Sequence, residues 1–311
     1  MIRLPTNSDN GGRITDMNAS ISCISCLIGK QEKLIRQFSD EDKKKAFFQD
    51  FLTLIQQEGM NRTAPWLQEK ADRLLERYFG TIVDYPALKS RYNQYLLSKE
   101  AIFEEKISVA KDVLAECIKY VCAGNYIDTM ALDEISDEIL DTLLNRVESE
   151  EVDPSRLAEL KNDLSKAREL VFITDNCGEI VMDKLFVRHV RQLYPELHVT
   201  VMVRGGLAAN DATMEDAVEV GLAAEADCAG NGSSLMGTDL SDLSEEALAL
   251  LNNADVLIAK GQGNFETLHG SGLNAWYLFL CKCEYFTRKF NLPQFTSVLM
   301  KEAPDDTKRG A

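Results

Sequence analysis

Asp175, Asn176, Asp211 and Lys260 are the residues whose types combine into a chemistry. Two carboxylates and an amide carbonyl are hard oxygen donors, and with water completing the shell they suit Mg²⁺ or Mn²⁺. Lys260 is a compact point charge able to grip a phosphate, and Gly261 and Gly263 beside it permit close backbone approach. Cys177-Gly178-Glu179 follows Asp175-Asn176. With a helix starting there, the amides of Gly178 and Glu179 can hold an anion. A divalent ion, a lysine and helix-start amides make a phosphate site that also stabilises charge in phosphoryl transfer. Each piece has a plainer alternative. Asp and Asn at strand ends often cap helices or form turns, and Gly261-Gln262-Gly263 can be an ordinary turn.

The elements that position these residues follow from hydrophobic period. From about 21 to 168 the pattern is helical. Thr63-Ala64-Pro65-Trp66 starts one helix, a longer one is expected from Pro86 to about Val121, and two acidic helices are expected over 132–147 and 155–168. Near residue 170 short apolar runs begin: Leu170–Thr174, His198–Val203, a weak Ala226–Cys228, Asp255–Ala259, and Trp276–Leu280, which fits either strand or helix. Helical patterns at 178–193, 213–222 and 244–252 separate them. Alternating strand and helix implies α/β: a mostly parallel sheet flanked by helices, a Rossmann-like layer, with an all-helical N-terminal part. The expected organisation is a tail over 1–20, a helical domain over 21–168, an α/β metal- and phosphate-binding domain over 169–300, and a second tail over 301–311. Ligands of open α/β sheets bind outside the carboxyl ends of strands. Asp175-Asn176, Arg204-Gly205-Gly206 with Asn210-Asp211, Gly230–Ser234, and Lys260–Glu266 all fall at that predicted edge.

The chain has 311 residues, 45% hydrophobic and 27% charged, which suits a globular protein and excludes a disordered or collagen-like one. A net charge of −16 repels phosphate backbones and disfavours nucleic-acid binding. No apolar run reaches the roughly 18 residues of a membrane span. Met1–Ser20 lacks an apolar signal core, so a cytoplasmic location is expected. The eight cysteines then read as free thiols. Cys23-Ile24-Ser25-Cys26 supplies two thiolates where a structural zinc needs four ligands; Cys281 and Cys283 are the only obvious complement. His189, His198 and His269 are too dispersed for a zinc site, and no histidine is placed by the sequence to activate Cys177. Gly124–Asp128 reads as a helix stop, with Asn125 and Asp128 able to reach the site instead.

Taken together, Cys23–Cys26, Gly124–Asp128, Thr174–Glu179, Asn210–Asp216, Ala259–Glu266 and the late Lys282-Cys283 pair resemble the metal-dependent damage-control phosphatases, first catalogued as domain of unknown function 89. The resemblance runs from about 20 to 300. The N-terminal CxxC resembles the prokaryotic-type branch. It implies a divalent metal (Mg, Mn, Co or Ni) on Asp175, Asn176 and Asp211, and phosphate contact by Lys260. Arg204 stands where other branches have a basic residue.

The expected function is therefore a metal-dependent phosphoric monoester hydrolase acting on a small phosphorylated metabolite. Asp175, Asp211 and Lys260 would be catalytic. Gly178, Glu179, Arg204, Lys260, Asn264 and Glu266 would contact substrate or orient water. A metal-polarised water is the preferred nucleophile, with an aspartyl-phosphate on Asp175 as the competitor; Asp175-Asn176 departs from the Asp-x-Asp signature of haloacid dehalogenase-like phosphatases. Asp211→Ala is expected to abolish activity without unfolding the chain. Two other classes stay open: a non-catalytic phosphometabolite or nucleotide sensor, and a metal-thiolate or redox protein built on the cysteines.

Overall fold

The computed structural model describes residues 17–126 and 137–302. Eight helices come first: α1 (Ile21–Ile35), α2 (Glu41–Glu58), α3 (Ala64–Phe79), α4 (Tyr85–Leu97), α5 (Glu100–Ser108), α6 (Val113–Gly124), α7 (Asp137–Ser149) and α8 (Pro154–Lys166). Local chemistry sets their starts. Thr63 accepts from the Trp66 amide ahead of Pro65, and Asp153 accepts from the Ser155 and Arg156 amides ahead of Pro154. The long helix expected over 86–121 is three, because Asp112 caps a new start by accepting from the Ala115 amide. Met17–Ser20, read as tail, belong to the fold: Asn18 bridges Thr63, the Ala19 amide donates to Arg62 O at 2.8 Å, and Met17 and Ala19 are buried.

An alternating part follows: β1 (Glu169–Ile173), α9 (Ile180–Leu193), β2 (His198–Val203), α10 (Met214–Glu219), β3 (Asp227–Gly230), α11 (Glu245–Asn253), β4 (Val256–Lys260), α12 (Gly261–Leu268), β5 (Ala275–Leu280), α13 (Glu284–Phe290) and β6 (Ser297–Lys301). The six strands lie in the order β3-β2-β1-β4-β5-β6. The first five are parallel, and β6 runs antiparallel to β5. Period-two alternation divides the sheet's faces. Leu170, Phe172, Val201, Ile258 and Leu278 join a core with α4–α10, whereas Val171, Ile173, Leu257, Tyr277 and Phe279 face α11, α12 and α13. The first core is thus continuous between the helical segment and the sheet. A smaller one, including Phe47, Phe51, Leu67 and Ala71, holds α1–α3 together. No helix among the described residues is long and apolar enough to cross a membrane.

Chain order reverses between β1 and β4, the switch point where open α/β sheets form a crevice. Asp175 follows β1, and Lys260 ends β4 at that same edge.

The opposite end of the sheet carries a charge clamp. His198 Nδ1 lies 2.8 Å from Glu169 Oε2 and Nε2 2.9 Å from Asp227 Oδ2, joining β1, β2 and β3. Hydrogen bonds to Glu169 and then Asp227 raise the imidazole's pKa. A raised folded-state pKa stabilises the fold fully below the unfolded value of about 6.5, and the gain is lost as pH rises through the folded value. The wild-type Tm should therefore exceed that of His198→Gln at about pH 5.5. The gap should close toward about pH 9; a gap that widens with pH would refute the clamp.

Candidate active site

The end of β1 turns through Thr174–Glu179 into α9, and a strap from β2 is sewn to that turn. Asn176 and Asp211 form an antiparallel bridge. The Cys177 amide donates to Asn210 O at 2.8 Å and the Ala212 amide to Asp175 O at 2.7 Å. This pairing brings Asp175, Asn176 and Asp211 together although 36 positions separate the two aspartates. Side chains lock the set. Asn176 Nδ2 donates to Asp175 Oδ2 (2.9 Å), Asn210 Nδ2 to Asn176 Oδ1 (3.0 Å), and Arg204 Nε to Asp211 Oδ2 (2.6 Å). From the C-cap of α6, Asn125 Nδ2 donates to Asp175 Oδ2 at 2.7 Å and to Glu179 Oε2 at 3.0 Å. Gly261 takes φ +80° directly against the Asp175 carboxylate, where a Cβ would have no room.

Behind this turn lies a second layer of charge. Lys260 is 0% exposed, with its Nζ 2.7 Å from Asp183 Oδ1 and 3.2 Å from Glu179 Oε1. Burial pushes the lysine's pKa down, but Asp183 and Glu179 pull harder and hold it above its ordinary value. Asp175, Glu179, Asp183 and Asp211 are all buried, as are Lys260 and Arg204. The four buried carboxylates outnumber the two buried cations. Burial, followed by the charges of Glu179 and Asp211, drives the Asp175 carboxyl well above the usual range. Asp175, Asn176 and Asp211 present hard oxygens of the kind a divalent cation takes, so the residues fit that group.

The damage-control phosphatase ARMT1-like domain matches this sequence over residues 19–298. The chain belongs to that family. Among curated relatives, it is 25% identical over 293 residues to a damage-control phosphatase of Pyrococcus horikoshii, covering 92% of this chain and 98% of the relative. It is 27% identical over 282 residues to a damage-control phosphatase of Archaeoglobus fulgidus, covering 88% and 95%. The crystal structure of a DUF89 family protein from Pyrococcus horikoshii superposes with a TM-score of 0.79 at 24% identity, over 92% of this chain and 99% of that one. That likeness bears on the fold.

Within this damage-control phosphatase fold, several residues stand differently from the sequence-based expectation. The Gly178 amide donates to Asn93 Oδ1 at 2.7 Å and the Glu179 amide to Cys177 O at 2.8 Å, so both are engaged within the protein. The Glu179 carboxylate, not its amide, faces the site. Asn264 is a clamp: its amide bonds Thr174 O and its Oδ1 accepts from Thr238. Glu266, about 200° around α12 from Asn264, meets Gln262 at 2.8 Å and the side of Cys283 and Lys289. Burial pushes its carboxyl up to about 7. Arg204 sits at the site, but its Nε serves Asp211 and its Nη1 Thr238 at 3.3 Å. His189 pairs with Glu104 and His269 with Glu302. Cys23 and Cys26 stand in the first turns of α1. Among the described residues no three His, Cys, Asp or Glu side chains converge as a metal site. Asp128 lies outside the described residues.

Asp183 and Asn93 were missed from sequence. Asp183 had a signal: a lone acid inside the apolar run Ile180–Val190, one turn beyond Glu179. Asn93, buried in α4, had none.

Proposed function

We propose that this chain is a divalent-metal-dependent phosphatase that hydrolyses a small phosphorylated metabolite. The observation that carries the reading is the buried cluster at the β1/β4 switch point, where Asp175, Asn176 and Asp211 bring three hard oxygen donors together and carboxylates outnumber cations. Asp175, Asn176 and Asp211 would hold the ion. Once bound, a divalent cation polarises a phosphoryl oxygen and makes water a better nucleophile at neutral pH. The names of the archaeal relatives support phosphatase chemistry.

The chain's own groups supply the rest. Asn125 and Asn176 both donate to Asp175 Oδ2 and fix its orientation, which suits a ligand carboxylate better than an attacking one. Arg204 does the same for Asp211. Glu179, held by the Asn176 amide at 3.0 Å and by Asn125, is fixed beside Asp175 through the asparagine the two carboxylates share. Lys260 pairs with Glu179 and Asp183 from behind. With its ammonium buried, it acts on the phosphate through the field of the cluster.

The test is phosphate release from a panel of sugar phosphates and a generic aryl phosphate, metal-stripped and then with Mg²⁺, Mn²⁺, Co²⁺ or Ni²⁺ restored. Turnover that appears only with metal is expected. Thermal stabilisation by these compounds with no phosphate released would favour the sensor class.

A further inference from the structure

We propose that Asn93, on α4, is a positioning residue that holds the two donor-bearing stretches of the site in register. The inference rests on the metal reading above and adds to it the part played by the helical segment.

The three oxygen donors come from two separate stretches of chain. Asp175 and Asn176 belong to the turn after β1, and Asp211 to the strap after β2. Each stretch runs into a helix, α9 and α10 respectively, and α4 packs on both. Asn93 is 0% exposed, and both ends of its amide are engaged. Its Oδ1 accepts from the Gly178 amide at 2.7 Å, two residues beyond Asn176. Its Nδ2 donates to Asp216 Oδ1 at 2.7 Å and to Glu219 Oε2 at 2.8 Å, both on α10. The partners dictate this orientation, because a backbone N–H only donates and carboxylates accept. A flipped amide would set NH₂ against N–H and oxygen against two carboxylates.

Asp216 carries the contact on to the strap. Its Oδ2 accepts from the Thr213 amide at 2.7 Å and from the Thr213 hydroxyl at 2.8 Å, two residues beyond Asp211. Lys89 lies one turn before Asn93 on the same face of α4, 2.6 Å from Asp216 Oδ2, and donates to Thr213 Oγ1 at 3.2 Å. Thr213 bridges Arg204, whose Nε holds Asp211 Oδ2. One buried amide thus joins the Asp175 turn to the Asp211 strap. Gly178 has little slack on its side: a Cβ there would lie 3.2 Å from Tyr92 Cβ. Groups outside the ligand set that orient it commonly carry 10- to 100-fold of metal affinity or activity.

A role confined to docking α4 on α10 makes a different prediction, and two neighbours supply the control. Ser90 Oγ and Gln94 Nε2 both donate to Glu219 Oε1, joining α4 to α10 without touching the turn.

The test is calorimetric Mn²⁺ binding to the metal-stripped full chain, with Tm and phosphate-release kinetics on the same preparations. Asn93→Ala should weaken Mn²⁺ binding roughly 10-fold and lower kcat more than it raises KM. Ser90→Ala/Gln94→Ala should lower Tm and keep the wild-type Mn²⁺ affinity. Asn93→Asp keeps the size and the Gly178 acceptor but sets a carboxylate against Asp216 and Glu219. Mn²⁺ affinity should fall there too, although added negative charge alone would raise it, and this variant decides the matter if Asn93→Ala does not fold. Wild-type Mn²⁺ affinity in the folded Asn93 variants overturns the proposal, as does an equal loss in Ser90→Ala/Gln94→Ala; both leave the metal reading standing. Absence of Mn²⁺ binding to wild type overturns the metal reading, and the role of Asn93 with it.

Discussion

Gly261→Ala should reduce phosphate release at least about 100-fold, because the new methyl group lands on the Asp175 carboxylate. Either Asp175 leaves its place beside Asn125 and Asn176, or the start of α12 moves. The φ of +80° adds a strain of about 1–3 kcal/mol for any residue with a Cβ. The two effects separate with a control. Gly221 has the same φ of +80°, but open space lies where its Cβ would be. Gly221→Ala should therefore lose stability and keep turnover, whereas Gly261→Ala should lose both. Phosphate-release rates with urea melts on the two variants check this. Turnover in Gly261→Ala within twofold of wild type would contradict the packing of Gly261 on the ligand carboxylate.

Asp211 carries the second large effect, and the structure changes which substitution reads it. From sequence, Asp211→Ala removes a loop ligand and leaves the fold intact. In the structure Asp211 is 3% exposed and its Oδ2 is 2.6 Å from Arg204 Nε. Truncation strands a buried arginine, at a cost of about 3–5 kcal/mol. Asp211→Asn keeps the shape and an oxygen acceptor while removing the charge. It should lower turnover by about 10³-fold at fixed metal, with excess Mn²⁺ recovering part of it, and with a smaller loss of stability than Asp211→Ala. Equal turnover in Asp211→Asn and wild type would remove Asp211 from the metal set.

Much of this architecture was readable because buried parallel strands are short, continuous apolar runs. Val171–Ile173, Val199–Val203 and Val256–Ala259 announce themselves, and polar residues after them mark the carboxyl edge. β6 was missed because Ser297–Lys301 is an edge strand, only partly buried and without clear alternation. α12 was missed because Gly261-Gln262-Gly263 has poor helix propensity. Packing overrides it: Gly263 lies against Met236 O with no room for a side chain. At the site, the sequence gathered Asp175, Asn176 and Asp211 by residue type. It could not show that Lys260 points inward to Asp183, that the Gly178 amide is used by Asn93, or that Glu266 turns away. Those facts depend on long-range contacts, 85 positions apart for Asn93 and Gly178. Asn125 was left with two readings, and a 2.7 Å bond to Asp175 places it at the site.

The most direct test of the central claim is a Mn²⁺ titration of metal-stripped wild-type chain, with bound metal and phosphate release followed in the same samples. The account predicts no release without metal, a rise that saturates as one ion binds per chain, and both signals much reduced at the same Mn²⁺ in Asp211→Asn. Release that is undiminished in metal-stripped protein, or that stays at the wild-type level in Asp211→Asn, would contradict it.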